Sequence, residues 1–526
     1  MSRLFEDYIA GKPEVRALFG PEPESLNARA PAGRPWDGPL AEALQALQPK
    51  LGLQREFRGD EAVIVTGQQP GLFLGPMYTL YKAVTAVALA RRMRERHGIA
   101  CVPVFWVASE DHDFDEVRWF AYTDAHGQLV REFYTPRDAQ GEPVDIAGLP
   151  MHKVPVDGEL FRFVDRLAAR GTASDQSAEV TALLRDTLSQ AASVSNWFAR
   201  LMAALFKDTD LVIFAPHMRT ARVAAAPVIR REIEAPLAST ALLAKSAKRL
   251  ESLGYAPPIL KAASACNFFL NVNGRRRKVV FEKGRFMLPE EDCHILAQEE
   301  MLALLDAAPE RFSPNVALRP VVQQVLFPAA AYVAGPGEIA YWAQLKPVFD
   351  HHGITMPAVW PRARALMITP KERRKLAAGG LTVEDLALPE EMLLNRALDT
   401  EAPAPLTGAL EQHRVTVDSQ LAALIQELAG AATGPNAVAL AEEMRRQAAR
   451  GFERIAGNLL RGDARRVEDA RKRLAVLRNR LAPFGKPQER VLSPFNYLLS
   501  QGLGFVDRLL NELDPEDWRV REIEWL

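Results

Sequence analysis

The turn Glu110-Asp-His-Asp-Phe-Asp115 sets four carboxylates around one imidazole, that of His112. Not all of them can face a core, because an unpaired buried charge is too costly. An imidazole tuned by a neighbouring carboxylate is a general base, and an aspartate can hold Mg²⁺ that carries bound phosphate. The predicted chemistry is proton removal by His112 with help from Asp111 or Asp113, and Asp115 completes the candidate set. The plainer reading is a solvated acidic loop with one capping aspartate. Zinc is weakly indicated, since no second histidine motif stands at ligand spacing, and no resident metal is expected.

A second candidate is the glycine-rich stretch Thr66-Gly-Gln-Gln-Pro-Gly-Leu-Phe-Leu-Gly75. Small glycines let backbone N–H groups approach a ligand, and the start of the helix opened by Pro76 favours an anion. Thr66, Gly67, Gln68, Gln69 and Gly71 are the residues singled out. The stretch is neither G-x-G-x-x-G nor a Walker loop, so neither a dinucleotide nor a P-loop phosphate is indicated. Glycines that only make a tight turn are the alternative.

A third cluster runs through Ser313-Pro-Asn315, Arg319-Pro320 and Gly335-Pro-Gly-Glu-Ile-Ala-Tyr-Trp342. The rigid guanidinium fork of Arg319 suits a carboxylate or phosphate. Gly335 and Gly337 bring backbone near a ligand, and Glu338 stands in the first turn of a helix, where a carboxylate is also a sound structural choice. Tyr341 could wall a pocket, though core packing is the commoner fate of an aromatic ring. Weaker candidates are His217 at a strand end and Asn496 with Tyr497, which could meet an adenine. Cys266 has no base nearby in sequence and reads as an inert thiol.

These residues need elements that bring them together. Ala62–Thr66 and Val102–Ala108 read as buried strands, and between them a helix runs from Pro76 to about His97, stopped by Gly98. Strand, helix and strand in that order form a βαβ unit with parallel strands. Ligands of such sheets sit outside the carboxyl ends of the strands, where the first two candidate loops fall. A helix over 178–207, strands at 211–215, 328–333 and 356–360, and a helix to about His351 continue the theme. Phe268–Leu288 reads as an inserted antiparallel ribbon turning at Asn273-Gly274. Residues 1–60 read as a surface arm with turns such as 28–35.

Near residue 385 the pattern changes. Helices over 405–430 and 436–483 are predicted, joined at 433–436. Ala448, Phe452, Ile455 and Leu459 make an apolar stripe that resumes through Val467, Ala470, Leu474, Leu477 and Leu481 after a slip near Gly462. A helix that long would span roughly 70 Å and should project to meet a partner. The expected domains are a core over 1–384 with a ribbon near 266–288, a helical coiled coil over 385–484, and a segment over 485–526 returning to the core.

Lys plus Arg is 65 and Asp plus Glu is 66, a net charge of −1 that gives no general pull toward nucleic acid or anionic lipid. Residues 436–483 carry twelve basic and six acidic side chains, read as a solvated coiled-coil face. Three cysteines, Cys101, Cys266 and Cys293, lack C-x-x-C spacing and fit a reducing cytoplasm. No apolar run approaches the roughly 18 residues of a membrane span.

Val65-Thr-Gly-Gln-Gln-Pro-Gly71, Gly75-Pro-Met-Tyr78, Tyr81-Lys82, Pro103-Val-Phe-Trp106, Glu110–Asp115, Ser313–Asn315, Arg319-Pro320 and Gly335–Trp342 stand in an order that resembles the bacillithiol cysteine-adding enzymes, the BshC family. The resemblance implies an α/β, Rossmann-like parallel-sheet core with inserted segments and a long C-terminal coiled-coil arm used for homodimerisation. It implies a ligase that joins cysteine to glucosaminyl-malate as an amide, the last step to bacillithiol, and it adds Tyr78 to the site. The activating cofactor stays open; ATP with Mg²⁺ would make an acyl-phosphate or acyl-adenylate. No H-I-G-H or K-M-S-K-S signature is evident. In that reading His112 deprotonates the sugar amine, and donors at Gly67–Gly71 and Arg319 hold phosphate or malate charge. The rivals are a nucleotidyl- or phosphoryl-transfer enzyme of another pathway, a metal-dependent hydrolase centred on Asp111-His112-Asp113, and a coiled-coil scaffold.

Overall fold

The structure, a computed structural model, describes residues 3–27, 35–138, 140–170, 174–290, 294–399, 404–431, 435–460 and 464–525. The turn at 28–34, Cys293, residues 433–434 of the predicted junction and Gly462 lie outside the described residues. Two units form, one from residues 1–125, 130–365 and 489–521, the other from 126–129, 366–488 and 522–526.

The first unit is built on β1 (Ala62–Gln68), α1 (Tyr78–His97), β2 (Cys101–Val107), β3 (Val212–Phe214), α2 (Arg219–Glu234), β4 (Ala329–Ala334), α3 (Pro336–Trp342), α4 (Lys346–His352) and β5 (Ala358–Pro361). The strands run parallel in the order β5-β4-β1-β2-β3. Their apolar runs bury on both faces, as a covered parallel sheet requires. Val63, Val65, Tyr332 and Ala334 enter one cluster; Ala62, Ile64, Ala331 and Val333 enter the other. The chain passes from β1 to β2 on one side, and later to β4 on the other. The rim between β1 and β4 is therefore a topological switch point, where the crevice of an open sheet lies.

α1 ends on Gly98 at φ +64, a left-handed position that closes the helix cheaply in glycine. The single helix expected over 178–207 is two, Asp175–Ser189 and Val194–Leu205. Ser193 starts the second by accepting the Asn196 amide at 3.2 Å, the local competition by which serine favours caps over helix interiors. The ribbon forms as Ala265–Val272 and Arg275–Glu282 about Asn273 and Gly274, both at positive φ, and belongs to a five-stranded antiparallel sheet.

The second unit begins at residue 366, ahead of the change in pattern near 385. The reason is packing: Leu366, Ile368, Leu376 and Leu386 share one cluster with Ala470, Leu474, Leu477 and Leu481. The arm comprises helices Ala404–Gly430, Pro435–Leu460 and Ala464–Leu481. Ile455 and Leu459 of the predicted stripe stay exposed, whereas its continuation from Ala470 is buried. Among the described residues no helix is long and apolar enough to cross a membrane.

Candidate functional site

Helix α1 starts at Tyr78, so Tyr78 and Lys82 stand one turn apart on one face, aimed at the end of β1. Lys82 is 1% exposed. Its ammonium donates to the Gly67 carbonyl, lies 3.3 Å from Gln68 Oε1 and 2.7 Å from Glu338 Oε2. Three acceptors around one nitrogen match the three donors of the protonated form. Glu338, in the first turn of α3, also accepts from the Tyr332 hydroxyl at 2.6 Å and the Gly335 amide at 2.8 Å. Burial raises its pKa, but Lys82, the Gly335 amide and Tyr332 together hold it below the usual carboxylate value.

Arg319 extends this network along the rim. It donates to the Tyr341 hydroxyl at 2.9 Å and to Gln323 Oε1 at 3.1 Å, and its guanidinium lies 5.4 Å from the Tyr332 ring centre. Burial, then Glu338, keeps the Tyr332 phenol neutral. Past β5, Arg362 forks onto Glu489 at 2.6 and 2.8 Å. Two cations, Lys82 and Arg319, thus face one carboxylate, Glu338; burial lowers the Lys82 pKa, and the Asp111 and Glu116 carboxylates stand further along, on Gln69.

The acidic turn follows β2. Gln69 reaches it from the end of β1, donating to Asp111 Oδ2 at 2.8 Å and Glu116 Oε2 at 3.0 Å. Asp111 Oδ1 accepts the amides of His112 at 2.7 Å and Asp113 at 3.2 Å. Those bonds spend Asp111 on shaping the turn, and its carboxylate is 3.9 Å from His112 Nδ1. The ring partner is instead Arg276, from the ribbon, whose Nη1 lies 3.3 Å from His112 Nδ1. Arginine can only donate, so Nδ1 is the acceptor and the neutral ring carries its proton on Nε2. Burial and then Arg276 pull the His112 pKa down.

A second imidazole pair sits on the same turn. Ser109 Oγ is 2.7 Å from His217 Nδ1, beyond β3, and the His217 ring stacks on His152 at 4.5 Å. His152 Nδ1 lies 3.0 Å from the Ser109 carbonyl oxygen. A carbonyl only accepts, so Nδ1 holds the proton and Nε2 is left with a lone pair. Burial lowers the His152 pKa, which keeps that lone pair available at neutral pH.

Comparison with known proteins decides what carries this rim. Residues 1–363 match the family model for the bacillithiol biosynthesis BshC N-terminal Rossmann-like domain, and residues 365–525 that for its C-terminal coiled-coil domain. The chain belongs to the BshC family. A Salinibacter ruber protein named "Putative cysteine ligase BshC" is 32% identical over 97% of this chain and 94% of its own length. Proteins of the same name are 32% identical in Symbiobacterium thermophilum, over 89% and 84%, and 30% identical in Koribacter versatilis, over 97% and 95%.

In this BshC chain the predicted residues divide. Gln68, Gln69, Tyr78, Asp111, His112, Arg319, Glu338 and Tyr341 line the rim or its supports. Thr66 ties β1 to β4 by donating to the Val333 carbonyl at 2.9 Å. Gly67 lies inside β1 opposite Trp106, and a Cβ there would be 2.5 Å from the Trp106 carbonyl oxygen; strand packing requires this glycine. Gly71 approaches Gly75 closely for a similar reason, a Cβ meeting its Cα at 3.0 Å, whereas Gly337 has open space. Asn315 is buried, and its side-chain oxygen accepts the Ala317 and Leu318 amides in the turn just ahead of the helix that starts at Arg319. Asp115 points to solvent and pairs with Arg118 at 3.3 Å. Glu110 pairs with Arg222 at 2.8 Å, so the turn's carboxylates do not converge on one point. Asn496 accepts from the Thr123 amide at 2.7 Å, and Tyr497 stacks on Phe505 in the interior.

Sequence reasoning missed Lys82, Tyr332, Arg276, His152 and Arg362 as site residues. Lys82 left a signal, a lone charge in the apolar run Tyr78–Ala90, which demands a buried partner. The others become site residues only through pairing distant in sequence.

Proposed function

We propose that this BshC chain is a ligase that joins the cysteine carboxyl to the amine of glucosaminyl-malate, the last step of bacillithiol biosynthesis. The observation that carries the reading is the pairing of two cations, Lys82 and Arg319, with the single carboxylate of Glu338 at the switch point; a neutral histidine with a free lone pair, His152, stands on Ser109 after β2. Anionic groups, the malate carboxylates or a phosphate, suit the first feature. Amide formation needs the second, because an ammonium cannot attack a carbonyl until it loses a proton.

His152 Nε2 takes that proton, and His112 presents Nε2–H to oxygen charge developing on the acyl carbon. This exchanges the role first assigned to His112, for the tautomeric reason given above. Arg276 holds the His112 ring in place, and Gln69 holds the turn. ATP would supply the leaving group that a free carboxylate lacks. Arg319, which is only partly buried, would meet its phosphates, with Lys82 adding charge from the interior. Asp113, with no side-chain hydrogen bond or ion pair among the described residues, is the carboxylate available to Mg²⁺.

The reading includes a reducing cytoplasm, which suits the free thiols of Cys101 and Cys266. It includes a homodimer through the arm, where Leu440, Met444, Ile455 and Leu459 are exposed. The test is incubation of the pure protein with cysteine and glucosaminyl-malate, with and without Mg-ATP, followed by mass spectrometry. A new thiol with the mass of the two substrates less one water supports the reading. Consumption of ATP without that product would favour phosphoryl transfer in another pathway.

A further inference from the structure

We propose that Glu232, His351 and His352 hold a divalent transition-metal ion of the zinc class, at a place separate from the sheet rim. The ligand atoms of these three side chains lie within 4.8 Å of one another. Glu232 comes from the last turn of α2, and the two histidines from the last turn of α4. Two imidazole nitrogens and one carboxylate oxygen, with water in the fourth position, are a donor set that zinc takes readily.

Three observations point to a cation. The Glu232 carboxylate is buried, with 3% of its side chain exposed, and it lies at the negative end of a sixteen-residue helix. A buried negative group in that position calls for positive charge, of which Lys261, tied to Asn267 at 2.6 Å, supplies only part and through space. Its oxygens are already directed: Oε2 accepts from Ser239 Oγ at 2.6 Å, and Oε1 stands 3.0 Å from His352 Nε2. Ser239 in turn accepts from Asn267 at 2.6 Å, so the carboxylate is oriented as metal ligands usually are.

The His352–Glu232 contact alone could be a structural pair. It leaves His351 unexplained. His351 Nε2 is buried and makes no hydrogen bond, and one nitrogen of that ring lies within 4.8 Å of the other two ligand atoms. Its ring meets that of His352 edge to face at 5.2 Å. A metal ion draws on the His351 ring and offsets the carboxylate together. It would also pin α4, and with it the approach to β5, against α2.

The test uses the full chain, stripped with a chelator and titrated with Zn²⁺, with Co²⁺ as a visible-absorption probe. Expected are one ion per chain, cobalt d–d bands of a nitrogen- and oxygen-ligated site, and a higher Tm on loading. His351→Gln removes a nitrogen that bonds nothing, so the fold should survive, while affinity falls at least about tenfold. Glu232→Gln keeps the acceptor for Ser239, loses the charge and should weaken binding likewise. The proposal is overturned if the stripped protein takes up no stoichiometric metal, or if both folded variants bind as the parent does. It is also overturned if the cobalt bands vanish on changing His152 or His217 instead.

Discussion

Lys82 of α1 and Glu338 of α3 meet at 2.7 Å where β1 and β4 part, with the lysine almost wholly buried and the carboxylate only partly so. Removing one partner of such a pair is far costlier than removing both, because the survivor is left charged and unpaired. Lys82→Met should destabilise the protein by about 3–5 kcal/mol and abolish ligation. Lys82→Met with Glu338→Gln should regain most of the stability and none of the activity. Urea unfolding of the parent, single and double variants checks this; equal stability of single and double variants would sink it.

His112 and His152 should fail differently. Glutamine places an N–H near where His112 carries its Nε2 proton, so His112→Gln should keep part of kcat. His152→Gln removes the only lone pair assigned to the amine proton and should lower kcat by roughly 10²–10⁴-fold. Steady-state kinetics at saturating substrates decides; the reverse order would return the base to His112.

Stability should fall on acidification through the histidines. Burial lowers the pKa of His112, with Arg276, and of His152. Burial and then His152 lower His217 to about 3, although its exposed edge tempers that share. The unfolded chain, with imidazoles near about 6.5, binds protons first as pH drops. Their contribution is therefore full above about pH 6.5 and drains away below it. The urea midpoint should decline from pH 7.5 to 5.5, and less steeply in His152→Asn; parallel declines in both proteins would count against it.

Glycine at 67 answers to packing, glycine at 337 to nothing nearby. Gly67→Ala should cost about 1–3 kcal/mol by forcing β1 and β2 apart, and Gly337→Ala should stay within about 0.5 kcal/mol. Thermal unfolding of the two variants separates these expectations.

The exposed stripe on Pro435–Leu460 supplies the oligomerisation test. Ile455→Glu with Leu459→Glu should yield a monomer by light scattering with no loss of Tm in dilute solution. A parent protein that is already monomeric would remove the dimer from the proposal.

Much of the scaffold was legible because it rests on local rules. The apolar runs of β1 and β2, the Gly98 stop of α1, and the Asn273-Gly274 turn each depend on a few neighbouring residues; α1 itself starts two residues past the predicted Pro76. The rim was legible as loops and not as partners. That Asp111 would turn its oxygens to backbone amides, leaving His112 to Arg276, depends on a ribbon strand more than 150 residues away. No spacing rule links the two. Glu338 could be read as a cap and a site residue alike; it accepts the Gly335 amide as a cap and also pairs with Lys82. The boundary at 366 escaped because Leu366 and Leu376 read as ordinary α/β residues until Leu474 and Leu477 cover them.

The loop between β1 and α1 holds Phe73 and Leu74 at φ 49° and 66°, backbone that L side chains seldom adopt. Ser493 donates to the Phe73 carbonyl at 2.9 Å, and the Leu492 carbonyl accepts from Met77 at 2.8 Å. These anchors reach the ribosome's exit more than four hundred residues after the loop itself. A nascent chain can therefore assemble its sheet first, while the mouth of that sheet takes its working shape only once Leu492 and Ser493 have been made. An unfinished polypeptide should thus be folded and still inert.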